Sequence, residues 1–127
     1  RFASGIGRLT WAQLDYLSDL DSRNRVAWCA LDLSTEPPSG MGLARYVRLA
    51  DDETLAEFAV TILDDYQGQG LGTRLMRCLI RSARDNGIHT LRGYVRPANR
   101  AMLALGRRLG GVTGREDGFV RIDIATG

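Results

Sequence analysis

Asp65-Tyr66-Gln67-Gly68-Gln69-Gly70-Leu71-Gly72-Thr73 is the stretch on which the fold turns. It follows a strand-like apolar run, Leu55 to Leu63, and leads into a helical pattern from Thr73 to Asn86. Glycines at 68, 70 and 72 let the backbone turn tightly and come close to a ligand. The N–H groups that open the next helix converge on one point, and with the helix dipole that point favours an anion, most often phosphate. A Walker-type loop needs a lysine after its last glycine, and all 17 basic residues here are arginine. A dinucleotide fingerprint, G-x-G-x-x-G, fails at its third glycine, where Thr73 stands. What is left is Gln-Gly-x-Gly-x-Gly between a strand and a helix; the plainer reading is a glycine-rich turn that caps a helix.

Working outward, 127 residues make one domain, 1–127, long enough for a real core. Hydrophobic residues at 44% and charged residues at 25% are ordinary for a soluble globular chain. A net charge of +2 is too small to point to nucleic acid. No apolar run is long enough to span a membrane, and no signal-peptide pattern opens the chain, so the expected compartment is the cytoplasm. The chain starts at Arg1 rather than Met, which is what a domain excised from a longer protein would show. Cys29 and Cys78 read as buried free thiols, and with the single His89 they make no metal site.

The elements follow in order. Thr10, with Gln13 as a capping-box partner and Trp11, Leu14, Leu17 and Leu20 at helical spacing, predicts a helix ending near Asp21. Arg25 to Leu33 and Gly42 to Leu49 read as strands joined through Pro37, Pro38 and Gly40. Leu55 to Leu63 is the third strand, with Ala56, Phe58, Val60 and Ile62 on a core face and Leu55, Glu57, Ala59 and Thr61 on the other. In the helix after the loop, Leu75, Leu79 and Ala83 form an apolar stripe, and Arg74, Arg77, Arg81 and Arg84 a solvated row. Ile88 to Val95 is a fourth strand, parallel to the third because a helical crossover separates them. A helix from Asn99 to Leu109 and a hairpin turning at Glu116-Asp117-Gly118 complete the chain. Trp11, Trp28 and Met102 are core candidates.

This order of elements, with Gln67-Gly68-x-Gly70-x-Gly72 at its centre, resembles the GNAT acetyltransferases over nearly the whole chain. Ala56-Glu57-Phe58-Ala59-Val60 before Asp65-Tyr66-Gln67-Gly68, together with Arg1-Phe2 and Tyr16 to Asp21, is similar to the catalytic domain of bacterial protein lysine acetyltransferases of the Pat type. The resemblance implies an α/β (α+β) fold: a mixed, mostly antiparallel sheet flanked by helices, with a V-shaped splay between the strands at 55–63 and 88–95. It also implies a sheet whose usual first strand lies before this chain begins.

For the site, the resemblance implies acetyl-CoA as co-substrate. Backbone groups of Ile62 and Leu63 would meet its pantetheine arm, and those of Gln67, Gly68, Gln69, Gly70, Leu71, Gly72 and Thr73 its pyrophosphate. Asn99 would touch it too, or serve only as an N-cap. One arginine of the solvated row, or Arg100, would meet the 3′-phosphate. Acyl transfer to an amine needs a base, and Glu57 matches the glutamate proposed for that role in Pat-type enzymes; the plainer reading is a strand carboxylate paired with an arginine such as Arg45. The tyrosine that many relatives carry seven residues after the helix asparagine is replaced by Gly106. The implied acceptor is a protein lysine, as on an acyl-CoA synthetase, reached through an open groove between the sheet and the Trp11–Leu20 helix, with a regulatory domain outside this chain. A small-amine acetyltransferase and a non-catalytic acetyl-CoA sensor are the alternatives. No metal, nucleic acid or membrane partner is implied.

Overall fold

The structure, a computed structural model, describes residues 23–127 with their side chains and residues 9–14 by backbone. Its strands are β1 (Leu9–Leu14), β2 (Arg25–Asp32), β3 (Ser39–Leu49), β4 (Asp52–Ile62), β5 (Thr90–Val95), β6 (Val112–Glu116) and β7 (Phe119–Ala125). Its helices are α1 (Leu71–Asp85) and α2 (Arg100–Arg108), and a 3₁₀ turn, Asp64–Tyr66, precedes the glycine loop. The strands form one sheet in the order β1-β2-β3-β4-β5-β7-β6. Every neighbouring pair is antiparallel except β4–β5, which the α1 crossover makes parallel.

The helix expected from Thr10 is corrected. Leu9–Leu14 is a strand, paired antiparallel to β2 from Leu9–Asp32 to Leu14–Ala27. It gives the sheet edge expected to lack a first strand one from within this chain. Leucines at spacing three suit a helix in isolation, but pairing with β2 satisfies the backbone of Leu9–Leu14 in the sheet. The rest of that predicted helix, including Tyr16 to Asp21, lies outside the described residues, as does the Trp11 side chain.

One face of the sheet carries both helices. Leu71, Leu75, Met76, Leu79 and Ala83 of α1 are buried against Ala44 and Tyr46 of β3, Ala56 and Phe58 of β4, and Ile88 and Leu91. Burying each large aliphatic side chain of this stripe contributes about 1.5–3 kcal/mol. Trp28 packs on the same core and donates its indole N–H to Ser82 Oγ at 2.9 Å. Arg74, Arg77, Arg81 and Arg84 are exposed, as their spacing predicts.

The C-terminal end of α1 is held by Arg48. Its guanidinium donates to the Asn86 carbonyl at 2.7 Å, to Asn24 Oδ1 at 2.6 Å and to the Arg23 carbonyl at 3.0 Å. A cation there satisfies an orphan helix carbonyl and complements the dipole. Arg48→Met keeps the stem and removes these donors, and is expected to cost about 2 kcal/mol in urea unfolding. Arg81→Met, on the solvated row, should stay within about 0.5 kcal/mol. Equal midpoints for the two variants would show that Arg48 is not a clamp.

Candidate functional site

The site begins where β4 and β5 part. They pair over three rungs only, Leu55–Thr90, Ala56–Leu91 and Glu57–Arg92. Beyond that, β4 runs on to Ile62 along β3, while β5 runs on to Val95 along β7. This is the expected splay, and Phe58 sits at its base. A Cβ added to Gly93 would lie 2.6 Å from the Phe58 ring, so the ring occupies the space a side chain on β5 would need.

Backbone alternation decides which groups face the gap. The Leu63 N–H donates to the Met41 carbonyl at 3.0 Å, on the β3 side. In an antiparallel ladder the intervening residues point the other way, so Ile62 and Val60 turn their N–H and C=O groups toward the split. There the Ile62 carbonyl accepts from Gln67 Nε2 at 3.2 Å. The Leu63 carbonyl takes the Tyr66 N–H at 2.9 Å. Of the expected pair, Ile62 therefore faces the gap and Leu63 does not; Val60, which the sequence reading passed over, does.

The glycine loop ends at a bare helix terminus. Gly68 and Gly70 have φ of 78° and 80°, a region costly for other residues. A Cβ at either would meet nothing within 4 Å, so torsion rather than space demands glycine. Gly70 is the N-cap of α1 and brings no side-chain hydrogen bond. Arg74 is the first N–H bonded back into the helix, to the Gly70 carbonyl at 3.2 Å. The N–H groups of Leu71, Gly72 and Thr73 thus open outward. The Gln67 N–H is already given to the Asp64 carbonyl at 3.3 Å, which narrows the donor set to Gly68 through Thr73.

A groove of about 560 Å³ lies against this terminus, within the range of small-molecule sites. Val60 and Ile62 line it from β4, Tyr66 to Thr73 (without Gln69) from the loop and α1, and Asn99, Ala101, Met102, Ala104, Leu105 and Arg108 from α2. Leu63 and Gln69 are outside this lining. Asn99 Oδ1 accepts the Met102 N–H at 3.1 Å, so Asn99 is both an N-cap and a wall of the groove. Among the described residues, Arg108 is the one formally charged side chain in the lining. The sequence reading looked instead to the α1 row and Arg100; the signal it missed was the spacing Ala101, Ala104, Leu105, Arg108, which puts Arg108 on the helix face of two small residues.

Glu57 is on the other face of the sheet. It is exposed, stands at the last parallel rung beside Arg92, and is not part of the groove lining. It takes part in none of the ion pairs among the described residues, and its rung on β3 is Val47, whereas Arg45 stands opposite Ala59. Arg92 instead grips Asp123, Nε to Oδ1 at 2.8 Å and Nη2 to Oδ2 at 3.1 Å. The Asp123 carboxylate holds the Arg92 guanidinium well above its ordinary value, so that cation is permanent.

Cys29 and Cys78 are free and half-buried rather than fully buried, and burial pushes both thiols up. Neither is poised as a thiolate nucleophile. Among the described residues no group of three His, Cys, Asp or Glu side chains could hold a metal ion, and no helix is long and apolar enough to cross a membrane.

Gly106 has a packing role. A Cβ there would sit 2.9 Å from Ile122 Cδ1, which brings α2 down onto β7. A tyrosine at this position would drive into the core, not into the groove.

The sequence profile of the acetyltransferase (GNAT) family matches residues 6–110. Acetyltransferase Pat of Mycolicibacterium smegmatis is 38% identical over 125 residues, covering 98% of this chain and 37% of that protein. Acetyltransferase PA5475 of Pseudomonas aeruginosa is 40% identical over 116 residues, covering 91% of this chain and 62% of that protein. The chain therefore spans less than two thirds of either relative. Among solved structures, a cAMP-binding acyltransferase from Mycobacterium smegmatis superposes with a TM-score of 0.74 at 34% identity, covering 89% of this chain and 34% of that one.

Gly106→Tyr is expected to lower the melting temperature by several degrees, since overpacking costs about 1–3 kcal/mol. Scanning calorimetry checks it; an unchanged melting point would mean that α2 has room at this position after all.

Proposed function

We propose that this chain, which belongs to the acetyltransferase (GNAT) family, transfers an acetyl group from acetyl-CoA to a lysine side chain of a partner protein, with Glu57 as the general base. The observation that carries the reading is the split ladder: an anion-favouring groove opens on one face, an exposed carboxylate stands on the other, and the two meet where β4 and β5 separate.

In this reading Gly68 to Thr73 hold the pyrophosphate on their N–H groups, as helix starts do. Val60 and Ile62 offer their gap-facing backbone groups to the pantetheine arm. Asn99 and Arg108 close the groove along α2. Acetyl-CoA supplies an acyl group activated as a thioester. Glu57 takes one proton from the incoming ammonium, so that the neutral amine can form the new C–N bond as the C–S bond breaks. The second amine proton reaches the leaving thiolate through water, because position 106 offers no acid.

The acceptor belongs to another molecule, or to a chain terminus, since these 127 residues contain no lysine. Similarity to a protein named Pat favours a protein lysine, for which an acyl-CoA synthetase is our candidate, and a regulatory domain beyond this chain fits the same picture. The cytoplasm is the compartment we propose for this reaction.

Three outcomes are expected. Gly70→Asp puts a carboxylate where the pyrophosphate sits and should weaken acetyl-CoA binding at least ~100-fold by calorimetry, equivalent to a loss of about 2.7 kcal/mol. The added Cβ meets nothing within 4 Å, so the fold should survive, but the positive φ strains any replacement by about 1–2 kcal/mol and the melting point should fall by several degrees. Unchanged affinity would remove the loop from the site. Glu57→Gln should slow turnover about 10²–10⁴-fold without changing acetyl-CoA affinity, and parent-like turnover at neutral pH would dismiss Glu57 as the base. Incubation with acetyl-CoA and a purified acyl-CoA synthetase should yield acetyl-lysine by mass spectrometry. Turnover of small amines alone would move the function to small-molecule acetylation, and binding without turnover of either would make this a sensor.

A further inference from the structure

We propose that Asp123 is a positioning residue for Glu57: by gripping Arg92 from the β7 side, it keeps that guanidinium from pairing with the Glu57 carboxylate. The inference rests on the reading of Glu57 as the general base.

Register puts the three residues in a row. Glu57 and Arg92 are partners in the parallel β4–β5 ladder, and Arg92 and Asp123 are partners in the antiparallel β5–β7 ladder. All three share the sheet face away from the helices, because cross-strand partners project to the same side. Arg92 therefore stands between two carboxylates and is bonded to one. Its Nε and Nη2 donate to Asp123 at 2.8 and 3.1 Å. Such a planar, two-point grip fixes direction as well as strength. A base that must leave its rest state to collect a proton gains nothing from a salt bridge, since an adjacent opposite charge lowers a carboxylate's basicity.

Among the neighbouring charges, Asp52 lines a second groove with Arg92 and Asp123, and its carboxyl is lowered first by hydrogen bonds from Thr54 and less by Arg92. Arg121 approaches Asp123 at 3.5 Å but also reaches Glu116 Oε1 at 3.1 Å on β6. Glu116 in turn accepts from Tyr94 Oη at 3.4 Å. Arg45 of β3 lies on this face one pair of residues along, opposite Ala59, and Asp52 lies at the far end of β4. Arg25 of β2 shares the face in the same row as Glu57, across Val47, with Cys29 four residues further along β2. If Asp123 is lost, Arg121 keeps Glu116, and Arg92 is left between two carboxylates, its rung partner Glu57 and Asp52.

The consequence is a directional one. An opposite charge brought close lowers a carboxylate, and exposure weakens the effect. Asp123→Ala should therefore move the Glu57 titration down. Arg92→Met, which removes the cation and leaves Asp123, should move it up. The double variant Arg92→Met/Asp123→Ala removes a neutral pair and should return it close to the parent.

The chain has four glutamates, Glu36, Glu53, Glu57 and Glu116, so selective carboxyl-¹³C labelling gives four resonances. The one missing from Glu57→Gln is Glu57. Titration of parent, both single variants and the double variant by NMR reads the shift directly, and no acceptor is needed. Where Asp123→Ala does not fold, Asp123→Asn, which keeps the shape, is titrated in its place with the same expected sign. An unmoved Glu57 midpoint in a folded Asp123 variant overturns the inference, as does a double variant displaced as far as the single one. A second arm measures acetylation of a purified acyl-CoA synthetase against pH; the acid limb should follow the NMR midpoints while acetyl-CoA affinity stays constant. If Glu57→Gln retains turnover, the reading of Glu57 as the base fails, and the NMR arm still judges the Arg92–Asp123 arrangement on its own.

Discussion

Three parallel rungs hold β4 to β5, and the functional half of the molecule depends on there being no fourth. A parallel pair cannot be closed by a short turn, so the chain leaves β4, makes the glycine loop and α1, and returns. Up to Glu57–Arg92 the two strands share one ladder; past it, each stays with its other neighbour. Phe58 over Gly93 fills the base of the opening with apolar contact. The gap-facing backbone of Val60 and Ile62 is left to a ligand or to the Gln67 side chain. A side chain at position 93 would disturb that packing at the point where the strands diverge.

The two ends of α1 are treated in opposite ways. At the C-terminal end Arg48 reaches over from β3 and binds the last carbonyl. At the N-terminal end Gly70 provides no cap, and the first-turn N–H groups stay available. One terminus is therefore tied down and the other left open beside the groove, so the helix is held firmly without closing it. The close approach of α2 has the same character. Gly72 against Leu105 and Gly106 against Ile122 bring α2 near enough to wall the groove, at the cost of any catalytic side chain at 106.

The face away from the helices carries the charge. Arg92, Asp123, Arg121 and Glu116 run across β5, β7 and β6 as a chain of ion pairs that stops short of Glu57. Pairs this exposed contribute little to stability. Their effect is on direction, because each guanidinium is aimed at a stated carboxylate. Glu57 stands exposed at the last rung before the split, beside Arg92, which is bonded to Asp123.

The sequence by itself determined the middle and the end of this protein. Local chemistry was enough there: glycines at 68, 70 and 72, the Leu75–Leu79–Ala83 stripe, the crossover that makes β5 parallel, Asn99 as an N-cap and the Asp117–Gly118 hairpin turn, where both residues take positive φ. Each of these is fixed within a few residues. Tertiary structure decided the rest. Trp11 and Leu14 begin a helical spacing that continues to Leu17 and Leu20, yet Leu9–Leu14 is a strand because β2 offers an edge, and no local pattern contains that edge. Which of Ile62 and Leu63 faces the gap depends on hydrogen-bond parity with β3, which only the register supplies. Arg108 enters the groove because α2 packs tightly on β7 through Gly106. The bond that turns Arg92 toward Asp123 joins residues 31 apart in sequence, and only the sheet brings them together.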